Sequence, residues 1–350
     1  MNKKVYFCSM EYPLVSVVIL NYNGQQWLEK FLPFCMQTTY PAVQWIVADN
    51  ASTDDSVVYV KTHFTDIEIV QFETNKGFAK GNNDAVPYCK GEYVVLLNSD
   101  VEVTPNWLEP LMEKIQSNPN IAAVQPKILS YHQKTHFEYA GACGGFLDKY
   151  GVPFCRGRVF QYCEEDKGQY NEAIPVFWAT GACMLFRKSI WEKIGGLDND
   201  FFAHMEEIDW CWKAQLAGYE IYCEPQSTVY HVGGGTLAMD NPKKVYLNFR
   251  NSLFMLYKNL PTNKLWTTIF KRLLFDGLAG VFYLSKGKVK HVIAIIKAHW
   301  YFFRKIRECK EKRKFVQSLK KKEISLFNKS IVIQHFMKGK KKYNEIVEKI

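Results

Sequence analysis

The sequence predicts an α/β fold with a largely parallel sheet covered by helices, and three observations support this prediction. Four short apolar runs occupy residues 15–20, 43–48, 67–72 and 93–97. Helix-compatible stretches separate these runs, and a polar segment follows each of them. Continuous apolar strands that alternate with helices are typical of parallel sheets, because both faces of such a sheet are buried.

The first apolar run, VSVVIL, has the length of a strand and leads directly into the polar segment NYNG. Two lysines precede it, but no small-residue cleavage pattern follows, so we interpret it as the first strand rather than a signal peptide. Residues 24–37 and 54–64 are the helix-compatible stretches before the second and third strands.

The remaining chain divides into three parts. Residues 127–177 contain several glycines and no sustained period, which predicts an irregular segment. The stretch WATGACMLFRKSIWEKIGGLD then predicts a strand, a helix and a stop at Gly195 and Gly196. A basic and aromatic helical pattern follows, so we predict an α/β domain at 1–250 and a basic helical region at 251–350.

Polar side chains follow each predicted strand, and ligands of open α/β sheets collect at the carboxyl ends of the strands. After the fourth strand, Asn98, Asp100 and Glu102 alternate with other residues and would face one side of an extended strand. An ordinary turn is the alternative, since Asn, Ser and Asp are common in loops.

Two further polar groups occur later in the chain. AHMEEIDW contains Glu206, Glu207 and Asp209, and VYHVGGGT contains His231. Alone, these are equally compatible with a charged helix face and a packed histidine. Together with Asp100 they indicate a hard divalent cation, Mg²⁺ or Mn²⁺, with oxygen ligands and one imidazole.

The charge of the chain is unevenly distributed. The formal net charge is +10, but residues 251–350 carry 24 Lys and Arg against 6 Asp and Glu, whereas residues 1–250 carry a net −8. The basic region predicts a polyanionic partner, either nucleic acid or anionic lipid. No nucleic-acid-binding module is recognisable, so we predict a membrane surface and no nucleic acid. The ten cysteines lack a Cys-x-x-Cys pair, which indicates reduced thiols of a cytosolic protein.

The apolar stretches of the basic region are interrupted at Lys271, Arg272, Asp276 and Lys297. None reaches the approximately 20 apolar residues of a transmembrane helix. We therefore predict amphipathic helices that lie in the membrane interface. The alternative is a helical hairpin packed on the α/β domain with a solvated basic face.

The segments VSVVILNYNG, ADNASTDDS, NKGFAKGNN, LLNSDVEV, MEEIDWCWKAQLAGYEI and VYHVGGGT follow one another between about residues 14 and 240. In this order they resemble the motifs of family 2 glycosyltransferases with the GT-A fold, especially the rhamnosyltransferase-like bacterial branch. The resemblance implies a Rossmann-like, mostly parallel mixed sheet. It also implies metal-dependent sugar transfer from a nucleotide diphosphate donor with inversion at the anomeric carbon.

By this resemblance, NSD takes the place of the family's metal-binding motif. Asp100 is then the metal-binding carboxylate and His231 a second ligand of the same ion. Asn98 replaces the first acidic residue of the motif, which suits a ribose or water contact better than ligation. Glu102 has no role in the family, and we expect it to be solvated.

The resemblance also assigns the donor site. Asp49 corresponds to the carboxylate that accepts the imide N–H of uracil or thymine, and Tyr22 to the side chain that lies against the base. Gly77 and Gly81 would allow close approach of the backbone to the donor. The other residues assigned to the donor are Asn75, Asn83, Trp178 and Gly181. The last two correspond to the floor of the pocket for the donor sugar and the acceptor, and the alternative for Trp178 is a place in the core.

The family's general base corresponds to the pair Glu206 and Glu207. We predict Glu207 as the base that removes the proton of the acceptor hydroxyl, with Asp209 as the second choice. Many relatives have Asp where this chain has Glu207.

The predicted function is transfer of a hexose, with rhamnose as one candidate, from a dTDP- or UDP-sugar to a cell-surface glycan or lipid-linked saccharide. The enzyme would attach peripherally to the cytoplasmic face of the cell membrane. One alternative is a non-catalytic scaffold that binds sugar nucleotides, although a scaffold needs no metal ligands and base together. A nucleotidyltransferase is disfavoured, because NYNG lacks the glycines and basic residues that hold a triphosphate.

Overall fold

The computed structural model describes residues 12–233 and 241–347. The first part of the fold alternates strands and helices as predicted. Its elements are β1 (Val15–Asn21), α1 (Gln25–Cys35), β2 (Val43–Asp49), α2 (Ser56–His63), β3 (Glu68–Gln71), α3 (Gly77–Ala85), β4 (Tyr93–Asn98), β5 (Val101–Val103), α4 (Leu108–Gln116) and β6 (Ile121–Ser130).

The second part begins with short strands and ends in helices. Its elements are β7 (Gly145–Leu147), β8 (Pro153–Cys155), β9 (Arg158–Val159), β10 (Tyr162–Cys163), β11 (Ile174–Pro175), β12 (Cys183–Arg187), α5 (Lys188–Ile194), α6 (Glu206–Leu216), β13 (Glu220–His231), α7 (Pro242–Asn259), α8 (Thr262–Ser285), α9 (Val289–Lys305), α10 (Lys310–Ser318) and α11 (Tyr343–Ile346). The predicted strand, helix and stop around Gly195 are confirmed, and Gly195 ends α5 with φ of 76°.

The main sheet has the strand order β11-β13-β6-β12-β4-β1-β2-β3, with β5 paired to β13. The four strands predicted from the apolar runs are β1 to β4, and they pair in parallel. Strand β12 is antiparallel to both of its neighbours, β4 and β6. The predicted α/β class and mixed, mostly parallel sheet are therefore confirmed.

Alternate residues of the central strands belong to different cores. Val17 and Val95 pack on one face of the sheet, whereas Val18 and Val94 pack on the other, and all four are fully buried. Helices α1 and α4 cover the first face, and helices α3, α5 and α6 cover the second. Burial on both faces explains why these strands are continuously apolar.

The segment predicted to be irregular contains a second sheet. Strands β7 to β10 form it in the order β10-β9-β8-β7, with antiparallel pairing. The prediction was wrong here because strands of two or three residues are too short to show a period of two. We refer to residues 139–160 of this region as the sheet wall, because several of them line the cavity described below.

Helix α7 crosses the predicted domain boundary at residue 250 without interruption. Its middle and last turns contain Leu253, Met255 and Leu256, which are fully buried in the same core as α6. Helix α7 therefore packs as part of the catalytic body. The division into a catalytic domain and a C-terminal helical region stays a proposal.

Buried charges hold the last turn of α7 against α6. The Lys258 ammonium lies 2.5 Å from Asp198 Oδ2 and 2.7 Å from Asp209 Oδ2, and all three side chains are less than a tenth exposed. Burial alone would raise the pKa of Asp198, but Lys258 and Lys312 outweigh it and hold that pKa well below its usual range. The ion pairs therefore stabilise the fold above about pH 4, and this contribution is lost as the pH falls.

We expect Lys258→Met to lower the free energy of unfolding by about 3–5 kcal/mol, because it leaves the buried Asp209 without a cation and Asp198 with Lys312 alone. Urea denaturation at pH 7 measures the change. Lys314→Met is the matched control, since Lys314 pairs with Glu311 at the surface and such pairs contribute about 0–1 kcal/mol. A loss below about 1 kcal/mol in Lys258→Met would contradict this account.

Candidate active site

The carboxyl ends of the parallel strands, β13 and the start of α6 surround one cavity of about 480 Å³. This is the edge of the sheet where the sequence predicted a site. Ten of the predicted residues line the cavity: Tyr22, Asn75, Gly77, Asn98, Asp100, Trp178, Gly181, Glu206, Glu207 and His231.

Hydrogen bonds between side chains join the ends of β1 and β2. Asn21 Nδ2 donates to Asp49 Oδ1 at 3.2 Å and to Ser52 Oγ at 3.1 Å. The backbone N–H of Ser52 donates to Asp49 Oδ2 at 3.0 Å. Asp49 is 2% exposed and does not line the cavity, although the adjacent Asn50 does. Its predicted contact with the base stays a prediction.

The segment after β3 is joined to β2 in the same way. Asn50 Nδ2 donates to Asn75 Oδ1 at 3.1 Å, and the N–H of Gly77 donates to the same oxygen at 2.9 Å. Gly77 has φ of 76°, and a Cβ there would lie 2.6 Å from the carbonyl oxygen of Phe202. Gly81 does not line the cavity; a Cβ there would instead meet the side chain of Leu20.

Asp100 and His231 lie together because their strands pair. Strand β5 pairs antiparallel with β13, with Val101 opposite His231, and this register brings Asp100 beside the imidazole. His231 Nε2 lies 3.2 Å from Asp100 Oδ1 and 3.5 Å from Asn98 Nδ2. The predicted alternation along one strand is wrong in detail, since β4 ends at Asn98 and a turn precedes Val101.

Glu138 is a buried carboxylate that was not predicted from the sequence. Its Oε2 lies 3.1 Å from His231 Nδ1 and also accepts the N–H of Ala140. Burial would lower the pKa of His231, but the carboxylates of Glu138 and Asp100 raise it to about 10. A carboxylate on Nδ1 fixes the orientation of the ring and leaves Nε2 directed at Asp100.

Glu102 is not solvated as expected. It is 9% exposed, and its Oε1 lies 2.5 Å from the ammonium of Lys134. Strand β5 pairs Glu102 with Tyr230, whose ring lies 4.4 Å from the same ammonium. The carboxylate is therefore part of an ion pair outside the cavity.

Helix α6 begins after a loop with unusual backbone conformations. Phe202, His204 and Met205 all have positive φ, between 64° and 73°. Such conformations are costly for residues other than glycine and persist only when the surroundings enforce them. Asn251 Nδ2 donates to the carbonyl oxygens of Phe201, Ala203 and His204, so α7 holds the loop in place.

Glu206 and Glu207 occupy the first turn of α6, and each has one buried carboxylate oxygen without a hydrogen-bond partner among the described residues. Burial raises the pKa of Glu207, and the backbone N–H groups of Glu207, Gly181 and Ile208 oppose this rise only partly. Burial and the nearby Glu207 charge raise the pKa of Glu206 well above its usual value. Carboxylates with raised pKa values in a cavity are suited to general base catalysis.

Trp178 is 3% exposed and donates its Nε1–H to the carbonyl oxygen of Phe146 at 3.1 Å. Gly181 lies against the ring of Phe78, where a Cβ would come within 2.9 Å. Both residues line the cavity, as expected of a pocket floor. Trp178 also belongs to the core, which was the alternative for this residue.

Two further predicted site residues, besides Asp49 and Gly81, do not line the cavity. Asn83 uses its amide to hold the loop after α5: Nδ2 donates to the carbonyl oxygen of Leu197 and to Asn199, and Oδ1 accepts the N–H of Leu197. Asp209 is 2% exposed and bound to Lys258 and Asn259. Neither lines the cavity, so neither fits its predicted role as donor ligand or second-choice base.

The cavity also contains residues that sequence reasoning did not select. His204 lines it, and burial together with Lys244 lowers the pKa of His204 to about 4. Tyr139 and Arg158 contribute from the sheet wall. Nothing in the local pattern around Glu138, Tyr139 or Arg158 indicated a site, because all three lie in the segment without recognisable period.

Sequence comparisons with known proteins give one matching family and several related enzymes. A sequence model described as "Glycosyl transferase family 2" matches residues 16–195. The chain is 23% identical over 270 residues to the low-salt glycan biosynthesis hexosyltransferase Agl10 of Haloferax volcanii, covering 76% of this chain and 80% of that one. It is 24% identical over 233 residues to an N-acetylglucosaminyl-diphospho-decaprenol L-rhamnosyltransferase of Mycobacterium tuberculosis, covering 62% and 76%.

Two solved structures have a similar fold. GalNAc-T7, solved with UDP, GalNAc and Mn²⁺, matches with a TM-score of 0.56 and 16% identity, over 71% of this chain and 48% of that one. Residues 1–349 of S. aureus TarS match with a TM-score of 0.52 and 14% identity, over 87% and 90%. These likenesses confirm the predicted GT-A fold.

Proposed function

The chain belongs to glycosyl transferase family 2, and we propose that it transfers a hexose from a UDP- or dTDP-sugar to a saccharide acceptor with inversion at the anomeric carbon. The observation that carries this proposal is the convergence of Asp100, His231 and Glu207 on one cavity. Tyr22 is 42% exposed at the mouth of the same cavity, where its ring is available to a base.

The residues at the end of β4 fit a divalent cation. Among the described residues, no three His, Cys, Asp or Glu side chains surround one point, so the chain would provide only Asp100 and His231. Mg²⁺ is often bound by one or two protein ligands, with substrate phosphates and water completing its coordination. Bound Mg²⁺ or Mn²⁺ would supply a Lewis acid for the charge that develops on the leaving diphosphate.

The residues of the chain perform the other tasks. Glu138 keeps the His231 ring oriented, and the hydrogen bonds that Asn75 accepts from Asn50 and Gly77 fix the segment that faces the donor. Glu207 takes the proton of the acceptor hydroxyl as that oxygen attacks the anomeric carbon. Asn251 maintains the loop before Glu207 and thereby its position.

A thermal shift screen of nucleotide sugars with Mn²⁺ tests the proposal. A bound donor raises the apparent stability by mass action, by about 2.7 kcal/mol at a concentration of 100 times Kd. We expect UDP- or dTDP-sugars to raise the melting temperature and to be consumed when the right acceptor is present. Absence of any shift would contradict the donor class, whereas binding without transfer to any acceptor would support the scaffold alternative.

We further propose that the acceptor is lipid-linked and that α8 and α9 attach the enzyme to the inner face of the cell membrane. The name of the M. tuberculosis relative states transfer to a decaprenyl diphosphate-linked sugar, an acceptor confined to a membrane. No helix in the described parts of this chain combines the length and the apolar content that crossing a bilayer requires.

Helices α8 and α9 pack against each other, and α9 also packs against α7. Their outer faces form two apolar stripes of exposed side chains, which we call the apolar hairpin face. In α8 the stripe contains Trp266, Phe270, Leu274, Leu278 and Phe282; in α9 it contains Val289, Ile293, Ile296, Trp300 and Phe303. The alternative predicted a solvated basic outer face, but these residues are 45% to 63% exposed and apolar.

Exposed lysines flank the apolar hairpin face, among them Lys271, Lys290 and Lys297. Apolar stripes bordered by cations complement a bilayer with anionic head groups. The same arrangement does not fit nucleic acid, which offers phosphates but no apolar layer.

We expect the double substitution Leu274→Glu with Leu278→Glu to lower binding to phosphatidylglycerol vesicles at least about 100-fold, since each leucine contributes about 1.5–3 kcal/mol when buried in lipid. Vesicle sedimentation measures the binding. Val58→Glu is the control, because Val58 is 62% exposed on α2, outside the apolar hairpin face. Vesicle binding of the double variant at the level of the native protein would contradict membrane attachment through this face.

A further inference from the structure

Arg158 is a buried cation whose partners do not account for its charge. It begins β9, directly after a turn in which Gly157 has φ of 103°, and it is 5% exposed. Its side chain lines the cavity that contains Asp100 and His231. Transfer of a guanidinium from water to such a site costs several kcal/mol unless an anion compensates for it.

Among the residues that the structure describes, no anion contacts Arg158. Its Nη2 donates to Cys155 Sγ at 3.2 Å, and its guanidinium carbon lies 4.5 Å from the centre of the Tyr139 ring. Burial raises the pKa of Cys155, which keeps that sulfur a neutral thiol. Within residues 12–233 and 241–347, the buried Nε has no hydrogen-bond partner, and no Asp or Glu oxygen lies within 4.0 Å of the guanidinium.

The other buried arginines of the described residues are satisfied by the protein. Arg156 donates to the carbonyl oxygens of Cys143 and Glu172, Arg250 donates to those of Asp200 and Phe201, and Arg272 pairs with Asp276. None of these three lines the cavity. Arg158 thus differs from the other three in two independent respects. It has no oxygen acceptor among the described residues, and it lines the cavity.

We propose that Arg158 binds a phosphate group of a substrate in the cavity. The planar guanidinium presents paired N–H donors that match phosphate oxygens, and the surrounding apolar wall strengthens such a bond. Val152, Pro153 and Phe160 supply this wall next to Arg158 and Tyr139. The inference rests on the proposed function, because the cavity must then accept a diphosphate.

Two substrates could supply the phosphate: the nucleotide diphosphate of the donor or the diphosphate of a lipid-linked acceptor. Both would offer the guanidinium the same oxyanion. The experiment below separates them, since only one of the two substrates should bind more weakly when Arg158 is replaced.

The test compares Arg158→Gln with the native protein by isothermal titration with inorganic pyrophosphate, UDP and uridine, and by steady-state kinetics. We expect Arg158→Gln to weaken pyrophosphate binding about 10- to 100-fold and to leave uridine binding unchanged. If the donor supplies the phosphate, the Kd of UDP rises by the same factor. If the acceptor supplies it, UDP binding is unchanged and KM rises for a diphosphate-linked acceptor but not for one without phosphate.

Two further variants separate binding from folding. Arg158→Lys keeps the charge without the paired donors and should restore part of the pyrophosphate affinity. Arg156→Gln is the matched control, since it removes a buried arginine that the protein satisfies; it should lower the melting temperature and leave pyrophosphate binding unchanged. Arg158→Gln should melt at or above the native temperature, because it removes an unpaired buried charge.

The inference would be wrong if Arg158→Gln had the native Kd for pyrophosphate and for UDP and the native KM for the acceptor. A lower melting temperature in that variant together with native affinities would also overturn it, since Arg158 would then be structural. Failure of the proposed function is distinguishable, because the native protein itself would then transfer no sugar. The pyrophosphate titration tests Arg158 in either case.

Discussion

Glu207→Gln is expected to lower kcat about 10³-fold while donor binding remains intact. Glutamine has the size and polarity of glutamate but cannot accept the proton of the acceptor hydroxyl, and general base catalysis typically contributes about 10²- to 10⁴-fold. Steady-state kinetics measures the loss, and thermal shift with donor and Mn²⁺ measures retained binding. Glu113→Gln, on the exposed face of α4, is the matched control and should be fully active.

The pH dependence adds a second measurement to this prediction. The base must be ionised, and burial raises the pKa of Glu207 above its ordinary value of 4.5. Activity should therefore fall as the pH decreases through the pKa of Glu207, which lies above 4.5. Turnover at the native rate in Glu207→Gln would remove Glu207 from this role and leave Glu206 as the remaining carboxylate of the pair that lines the cavity.

Asp100→Ala is expected to abolish the part of UDP binding that depends on Mn²⁺. Replacement of groups that only orient a metal ligand costs about 10- to 100-fold in affinity, so loss of a direct ligand should cost at least about 100-fold. Isothermal titration of UDP with Mn²⁺ or with EDTA measures the difference. In the variant, the two conditions should give the same Kd.

Glu138→Gln provides a graded comparison for that experiment. Glu138 touches His231 at Nδ1 but would not bind the ion, so its replacement should weaken Mn²⁺-dependent UDP binding about 10- to 100-fold without abolishing it. If the native protein binds UDP with the same Kd in Mn²⁺ and in EDTA, Asp100 is not a metal ligand and Glu138 does not orient one.

The sequence predicted the parallel half of the sheet well because its signal is local. Strands β1 and β4 are buried on both faces, so they appear as nearly continuous apolar runs, whereas the edge strand β3 is only partly buried. Their polar ends then follow from the general position of ligands in α/β sheets. Asp100 and His231 are 131 residues apart. Their residue types indicated a divalent cation, and the resemblance to a family assigned both side chains to the same ion.

The small sheet and its contribution to the cavity were not predictable in this way. Strands of two or three residues leave no period. The role of Glu138 depends on its contact with the distant His231, and that of Arg158 on its position in the cavity. Asp209 shows the opposite error. Its position near Glu207 in the sequence suggested chemistry, but Lys258, 49 residues away, neutralises it in the core.

Net charge alone predicted only part of the character of the C-terminal helices. The net charge of residues 251–350 predicted a polyanionic partner but not the separation of apolar and basic side chains. That separation depends on which face of α9 packs against α7, where Ala298 and Phe302 are fully buried. The apolar hairpin face is what remains on the outside.

A crystal structure with UDP and Mn²⁺ tests the central claim most directly. Anomalous scattering from manganese should give one peak in the cavity, at about 2.0–2.2 Å from both a carboxylate oxygen of Asp100 and Nε2 of His231, with the diphosphate completing the coordination. A manganese peak away from these two side chains, or UDP bound outside the cavity, would contradict the account.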